Sequence, residues 1–123
     1  MQLTKNIAAS EVVCKCGCGL LPPQAFIDKI QLIRTLCDFP FVISSGARCV
    51  EYNKRINATM AHFYGAIDIK IHGTNAFTLV KTALDNGITG VGIKQHGAFE
   101  TRFIHLDDIV HNHFPRPMVW SYK

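Results

Sequence analysis

The feature that most constrains the fold of this chain is the ten-residue stretch 62–71, HFYGAIDIKI. Its second half alternates, so that Ile67, Ile69 and Ile71 face one side of an extended strand while Asp68 faces the other. A strand with this pattern presents one face to a core and leaves the other face free for a site. The stretch therefore predicts a β-strand that carries Asp68 away from the core, with His62 shortly before it.

A second histidine completes a candidate metal site. His105 follows Asp68 by 37 residues (105 − 68 = 37) and lies within another predicted strand, residues 102–107. Two histidines and one carboxylate form a three-ligand set for zinc that leaves the fourth position to water. Taken singly, each of these residues is more often an ordinary polar residue than a ligand. Together, His62, Asp68 and His105 indicate a hydrolytic metal centre.

Length and charge limit the classes of protein to which the chain can belong. At 123 residues the chain is long enough for one domain, residues 1–123, with a substantial core. Its net charge of +4 favours polyanionic partners such as nucleic acid or an anionic cell wall. The chain has no long run of Lys or Arg, which argues against a nucleic-acid partner. No apolar run reaches the length of a membrane span. We expect a monomer with no nucleic-acid partner and no membrane partner.

The first 13 residues, MQLTKNIAASEVV, lack the basic start and the continuous apolar core of a secretion signal. We therefore expect synthesis in the cytoplasm without a signal peptide. A substrate in the cell wall would then require that another component deliver the protein to it.

The chain has five cysteines, of which three alternate in the segment CKCGCG. An odd number cannot all pair within one chain, and reduced thiols are the default without a secretion signal. Two alternatives stay open. Cys14, Cys16 and Cys18 could bind a structural metal with Cys49, although C-x-C-x-C is not the usual C-x-x-C knuckle. Cys14 or Cys18 could instead form a disulfide with Cys49 on oxidation. Free thiols remain the expected state, including Cys37.

Two longer helices are predicted. The first covers residues 22–37, because two prolines suit its first turn and a buried stripe repeats at helical spacing: Phe26, Ile30, Ile33 and Cys37. The second covers residues 75–86, between Thr74 as the N-cap and Gly87 as the stop.

Shorter elements fill the rest of the chain. Strands are predicted at 41–44 and at 89–94, where Gly90 and Gly92 would permit a close approach to the site, and a short helix at 50–56. The region of Gly65 is predicted to be a loop that leads into the strand at 66–71, and the chain after the last strand is a polar tail broken by prolines. This order predicts an α+β domain with a small, mainly antiparallel sheet and packed helices.

Several motifs occur in an order that resembles one family. They are SEVVCKCGCG, Ser45-Gly46-x-Arg48-Cys49 with Asn53 after it, His62-x-x-Gly65-Ala66-Ile67-Asp68, Gly90-Val91-Gly92, Phe103-Ile104-His105-Leu106-Asp107, and finally Arg116 and Trp120. In this order they resemble the zinc peptidases of bacterial cell-wall metabolism. That family includes D-alanyl-D-alanine carboxypeptidases, D,D-dipeptidases and phage L-alanyl-D-glutamate endolysins. The likeness is greatest to a short branch with cysteines near the start, and it covers residues 10–120.

The resemblance implies a zinc-dependent peptidase with the single-domain fold of the D-Ala-D-Ala peptidases and of hedgehog-type domains. It implies that His62, Asp68 and His105 bind one zinc ion, and that Arg48 holds a substrate carbonyl or carboxylate. The planar, permanently charged guanidinium suits that role. The implied partners are peptidoglycan stem peptides, cut by a carboxypeptidase or endopeptidase such as a phage endolysin. The alternative is a catalytically impaired relative that binds the cell wall or a protein.

Three features of the sequence depart from the family pattern. Met60 stands where the family usually has serine, the spacing from His62 to Asp68 is six rather than seven, and Arg102 replaces an acid that often serves as general base. The remaining acids near the last strand are Asp107, which shares a strand face with His105, and Glu100. We expect Asp107 to be the general base and Glu100 to be the second candidate. Asp107 as a partner that orients a histidine is the alternative.

Overall fold

Five strands form a single sheet in the computed structural model, which describes all residues 1–123. Their order across the sheet is β1-β2-β4-β3-β5, and every neighbouring pair is antiparallel except the parallel pair of β3 and β5. The predicted α+β class with a mainly antiparallel sheet is confirmed. The strands are β1 (Val42–Ser45), β2 (Ala66–Lys70), β3 (Gly90–Lys94), β4 (Phe103–Asp107) and β5 (Met118–Ser121).

Two longer helices cover the core face of the sheet, and three short ones position loops. The helices are α1 (Ala9–Val12), α2 (Gln24–Cys37), α3 (Val50–Ile56), α4 (Ala61–Tyr64) and α5 (Gly73–Asp85), with a 3₁₀ turn at Phe99–Thr101. The predicted stripe of α2 is buried except for its last member, Cys37, which is half-buried. None of these helices has the length and apolar character needed to cross a membrane.

The two faces of the sheet differ as the alternation of β2 predicts. Ile67 and Ile69 of β2 and Ile104 and Leu106 of β4 are buried in one apolar cluster with α2 and α5. The intervening residues face the other side, where pairing of the strands brings them into rows. One such row crosses four strands and sets Asp68, His105, Gly92 and Trp120 side by side. This row forms the floor of the candidate site.

Three sequence predictions need correction. Helix α5 begins at Gly73, so that His72 rather than Thr74 is its N-cap, and the cap has no side-chain hydrogen bond. The segment before Gly65, predicted as a loop, contains the single helical turn α4. The tail, described from the sequence only as polar and broken by prolines, forms β5 because it pairs with β3 in parallel. A parallel pair joins residues far apart in sequence, and no local pattern encodes it.

Candidate metal centre

A tight turn delivers His62 and Asp68 to the same place. His62 lies in α4, and Gly65 ends that helix with φ 129°, in a region of backbone space that L side chains rarely adopt. Because the glycine turns the chain directly into β2, the shorter spacing between His62 and Asp68 is absorbed without separating the two side chains. The nearest approach between them is 3.3 Å, from His62 Nε2 to Asp68 Oδ1.

Three candidate ligand atoms converge on the sheet. Asp68 Oδ1 lies 3.3 Å from His62 Nε2 and 3.1 Å from His105 Nδ1. All three residues are buried, and their ligand atoms lie within 4.8 Å of one another. A compact N/N/O set of this kind is the catalytic zinc pattern, in which a fourth position stays open.

The hydrogen bonds on the far side of each imidazole orient both rings for a metal. His62 Nδ1 lies 2.7 Å from the carbonyl oxygen of Gly46, which can only accept, so this nitrogen carries the proton. His105 Nε2 likewise donates to Asp107 Oδ2 at 2.7 Å. In the neutral imidazoles the remaining nitrogens then direct lone pairs at Asp68. Two lone pairs facing one carboxylate are complementary to a cation, so the residues present fit a bound metal.

Without a cation, the carboxylate of Asp68 and the imidazole of His105 each favour the charged form of the other. Burial by itself would raise the pKa of Asp68, but hydrogen bonds and charge from His105 and His62 hold it well below its usual range. Burial would lower the pKa of His105, whereas its contacts with Asp107 and Asp68 raise it above the usual value. Asp68 is therefore ionised at neutral pH and available as a ligand.

Asp107 is placed differently from the general base expected from its strand position. It has no exposed surface, and Arg116 donates to both of its oxygens at 2.8 Å, from Nε to Oδ1 and from Nη2 to Oδ2. Against the cost of burial, Arg116 and then His105 lower the pKa of Asp107 to about 2. Gly90 makes room for this pair, since a Cβ there would collide with both side chains. A carboxylate so engaged holds the ring of His105 and has no access to a water in the cavity.

Glu100, the second candidate base, lies outside the site. It is exposed in the 3₁₀ turn and lines a separate depression with Lys70, His72 and Phe99. Arg102, which occupies the position of the family acid, donates from Nε to the carbonyl of Gly97 at 3.0 Å. Its guanidinium lies 4.8 Å from the ring centre of Phe99, so Arg102 faces this second region as well.

The three ligands open into a cavity of about 590 Å³, which we call the site cavity. Asp68 is its only carboxylate. The walls combine apolar and cationic groups, which include Arg48, Phe103, Phe114, Arg116, Met118, Trp120 and Tyr122. A mixed wall of this kind suits a ligand with small apolar groups and negative charge.

Arg48 lies where the sequence predicted it. Its Nη2 is 3.5 Å from Asp68 Oδ2, the oxygen that does not face the histidines, and its Nε donates to Ser45 Oγ at 3.1 Å. The backbone N–H of Arg48 donates to the carbonyl of His62, which fixes the turn against α4. Arg48 is thus anchored at the edge of the ligand set and retains N–H groups directed at the site cavity.

β5 supplies a wall of the site cavity that was not predicted from the sequence, where Trp120 was named only as a motif residue. The ring of Trp120 lies 5.0 Å from that of His105, and Tyr122 lines the same cavity just past the strand. Burial, with a further contribution from the charge of Asp68, raises the pKa of Tyr122, which therefore keeps its proton. A Cβ at Gly92 would come within 2.6 Å of Trp120 and 2.8 Å of Tyr122. The alternation of Met118, Trp120 and Tyr122 was the sequence signal that could have predicted this strand and its wall of side chains.

The other histidines remain apart from the ligand set. His72 stacks on Phe99, His96 bonds to the carbonyl of Tyr122, and His111 packs on Tyr64, next to His113. None of the four belongs to the buried group of His62, Asp68 and His105.

The contact of Asp107 with His105 leads to a prediction on metal affinity. We expect Asp107→Asn to weaken zinc binding at this site about 10- to 100-fold, because partners that orient a metal-binding histidine typically contribute that much. Competition with a chelator of known affinity measures the change. Glu100→Gln is the matched control and should bind zinc like the wild type. Unchanged zinc affinity in Asp107→Asn would contradict the orienting role.

Comparison with known proteins gives one match. The family model described as Peptidase M15 matches residues 2–107, which include all three candidate ligands, Arg48 and the cysteine cluster. No curated protein matches the chain.

Proposed function

The chain belongs to the peptidase M15 family, a family of metallopeptidases, and we propose that it is a zinc peptidase that hydrolyses a peptide bond in the stem peptides of peptidoglycan. The observation that carries this proposal is the convergence of His62, Asp68 and His105 at the base of a cavity, with Arg48 beside them. The family match supports a peptidase. The zinc and the peptidoglycan substrate are our proposal.

His62 Nε2, Asp68 Oδ1 and His105 Nδ1 would hold the zinc ion. When bound, zinc would supply Lewis-acid activation of water and of the scissile carbonyl. The chain's own contribution is to fix the ligand geometry through the carbonyl of Gly46 and the carboxylate of Asp107.

Arg48 and the aromatic wall would bind the substrate. Stem peptides combine small alanine side chains with carboxylate groups, and the site cavity combines apolar rings with cationic side chains. The guanidinium of Arg48 is the donor best placed to hold a substrate carbonyl or carboxylate. Trp120 and Phe103 would contact the apolar part of the peptide. An enzyme of this kind acts on the wall once it is delivered there, as a phage endolysin is.

One observation favours a second function, a binding module without catalysis. Asp68 is the only carboxylate lining the site cavity, Asp107 is fully engaged, and Glu100 lies elsewhere. No side-chain acid other than a ligand is therefore available to take a proton from water. The same ligands and the side chains that line the site cavity would then bind a cell-wall peptide without cutting it.

Release of soluble peptide from purified peptidoglycan distinguishes the two functions. We expect the wild-type protein to release peptide, a zinc chelator to abolish release, and added zinc to restore it, because the metal supplies the activation that no side chain here supplies. Mass spectrometry of the products identifies the bond that is cut. Co-sedimentation with peptidoglycan but no release from several wall chemistries would establish the binding module and overturn the peptidase.

A further inference from the structure

Four of the five cysteines form a cluster separate from the histidine–aspartate site. Cys14, Cys16 and Cys18 lie in the loop after α1, and Cys49 is the N-cap of α3. Their sulfur atoms all lie within 4.8 Å of one another. Two of the separations, Cys14 Sγ to Cys16 Sγ and Cys16 Sγ to Cys49 Sγ, are 3.5 Å. Residues far apart in sequence thus bring four soft ligand atoms to one point.

These separations fit a metal site better than a disulfide. Sulfurs in a disulfide lie about 2.05 Å apart, and all five cysteines here are free thiols. Four sulfurs at about 2.3 Å from a tetrahedral zinc ion lie roughly 3.8 Å from one another, which matches the spacing of the cluster. The alternating C-x-C-x-C pattern places three ligands in one loop because Gly17 and Gly19 adopt φ of 90° and 86°.

Backbone N–H groups already point at the sulfurs. The N–H of Cys49 donates to Cys14 Sγ at 3.4 Å, and the N–H of Tyr52 donates to Cys49 Sγ at the same distance. Such donors stabilise negative charge on sulfur, as a metal-bound thiolate requires. Cys37, the fifth cysteine, lies apart at the end of α2.

We propose that Cys14, Cys16, Cys18 and Cys49 bind one structural zinc ion as a closed tetrathiolate. Binding converts four thiols to thiolates and releases their four protons, with no change of oxidation state. Soft thiolate ligands in a tetrahedral arrangement favour zinc over calcium or magnesium. With all four positions occupied by protein, the ion has no open position for a substrate, so its role is to hold the fold.

The ion would lock the N-terminal loop to the turn that carries Arg48. Val12 already accepts a hydrogen bond from the N–H of Ala47 at 2.8 Å, and a Cβ at Gly46 would collide with the backbone of Val12. The carbonyl of Gly46 in turn orients His62. A metal clamp at Cys49 would therefore fix both the guanidinium and one histidine of the site cavity.

Zinc stoichiometry tests the proposal. The full chain, prepared with reductant and zinc and then desalted, should hold about two zinc ions, one in each site. Cys16→Ser/Cys18→Ser should hold about one and unfold at a lower temperature, His105→Ala about one, and the triple variant none. Cys37→Ser is the matched control and should hold as much zinc as the wild type. Because the two sites are removed separately, failure of this proposal does not depend on the proposed peptidase function.

Cobalt substitution gives a readout independent of zinc counting and of activity. Co²⁺ in the cluster should show strong sulfur-to-metal charge-transfer absorption that His105→Ala keeps and Cys16→Ser/Cys18→Ser loses. A folded His105→Ala variant that holds no zinc would overturn the proposal, because only the cysteine cluster could bind the ion there, and so would a double variant that keeps the wild-type zinc content. Detection of only three free thiols in the denatured, unreduced protein would show a disulfide and overturn it as well.

Discussion

Replacing His105 by alanine should remove about one zinc ion per chain and reduce peptide release to background. His105 offers one of the three candidate ligand atoms and lies between Asp68 and Asp107, within 3.1 Å and 2.7 Å of them. Its removal leaves two protein ligands, too few for a stable catalytic zinc site. Metal analysis of the purified variant and the peptidoglycan release assay measure the two effects.

His113→Ala is the matched control for this variant, because His113 is exposed and outside the ligand set. It should keep the zinc content and the activity of the wild type. Circular dichroism of His105→Ala checks that the domain still folds, as we expect because Arg116 would still pair with the buried carboxylate of Asp107. Undiminished zinc content in a folded His105→Ala would show that the ligand assignment is wrong.

Replacing Arg48 by alanine should lower the rate of peptide release about 100- to 1,000-fold while zinc stays bound, as loss of one donor to a developing oxyanion typically does. Arg48 is not a candidate ligand, and its Nη2 lies beside Asp68 Oδ2 at the edge of the site cavity. Arg48→Lys should recover only part of the activity, because a lysine keeps the charge but loses the planar fork. The release assay is run at matched zinc content.

Arg55→Ala serves as the control for Arg48→Ala. Arg55 carries the same charge on α3, but it is exposed and packs on the ring of Tyr52. Its removal should leave the rate unchanged, whereas a general effect of net charge would slow both variants alike. Full activity of Arg48→Ala would exclude Arg48 from substrate binding.

Local patterns predicted the parts of the fold that local physics determines. The alternation in β2 and β4 places Ile67, Ile69, Ile104 and Leu106 in the core, because successive side chains of a strand point to opposite faces. The same period places Asp68 on the site face beside His105. The position of His62 shortly before this strand added the second histidine, the family resemblance added Arg48, and the structure brings all four side chains together.

Tertiary structure alone decided the role of Asp107. Its strand position puts the carboxylate on the site side, and the sequence could not show that Arg116, nine residues later in a proline-broken tail, engages both of its oxygens. Whether a carboxylate serves as a base or orients a ligand depends on which of its lone pairs neighbouring groups occupy. Those neighbours are known only once the chain has folded.

The same limit applies to β5 and to the cysteine cluster. The parallel pairing of β5 with β3 brings Trp120 to the site, and the backbone hydrogen bond from Ala47 to Val12 holds the loop thiols near Cys49. The sequence by itself determined the periodicity of each strand and helix, because steric and hydrophobic preferences act between near neighbours. Contacts between distant segments depend on packing of the whole domain, and that packing set the cavity wall, the partner of Asp107 and the convergence of the four thiols.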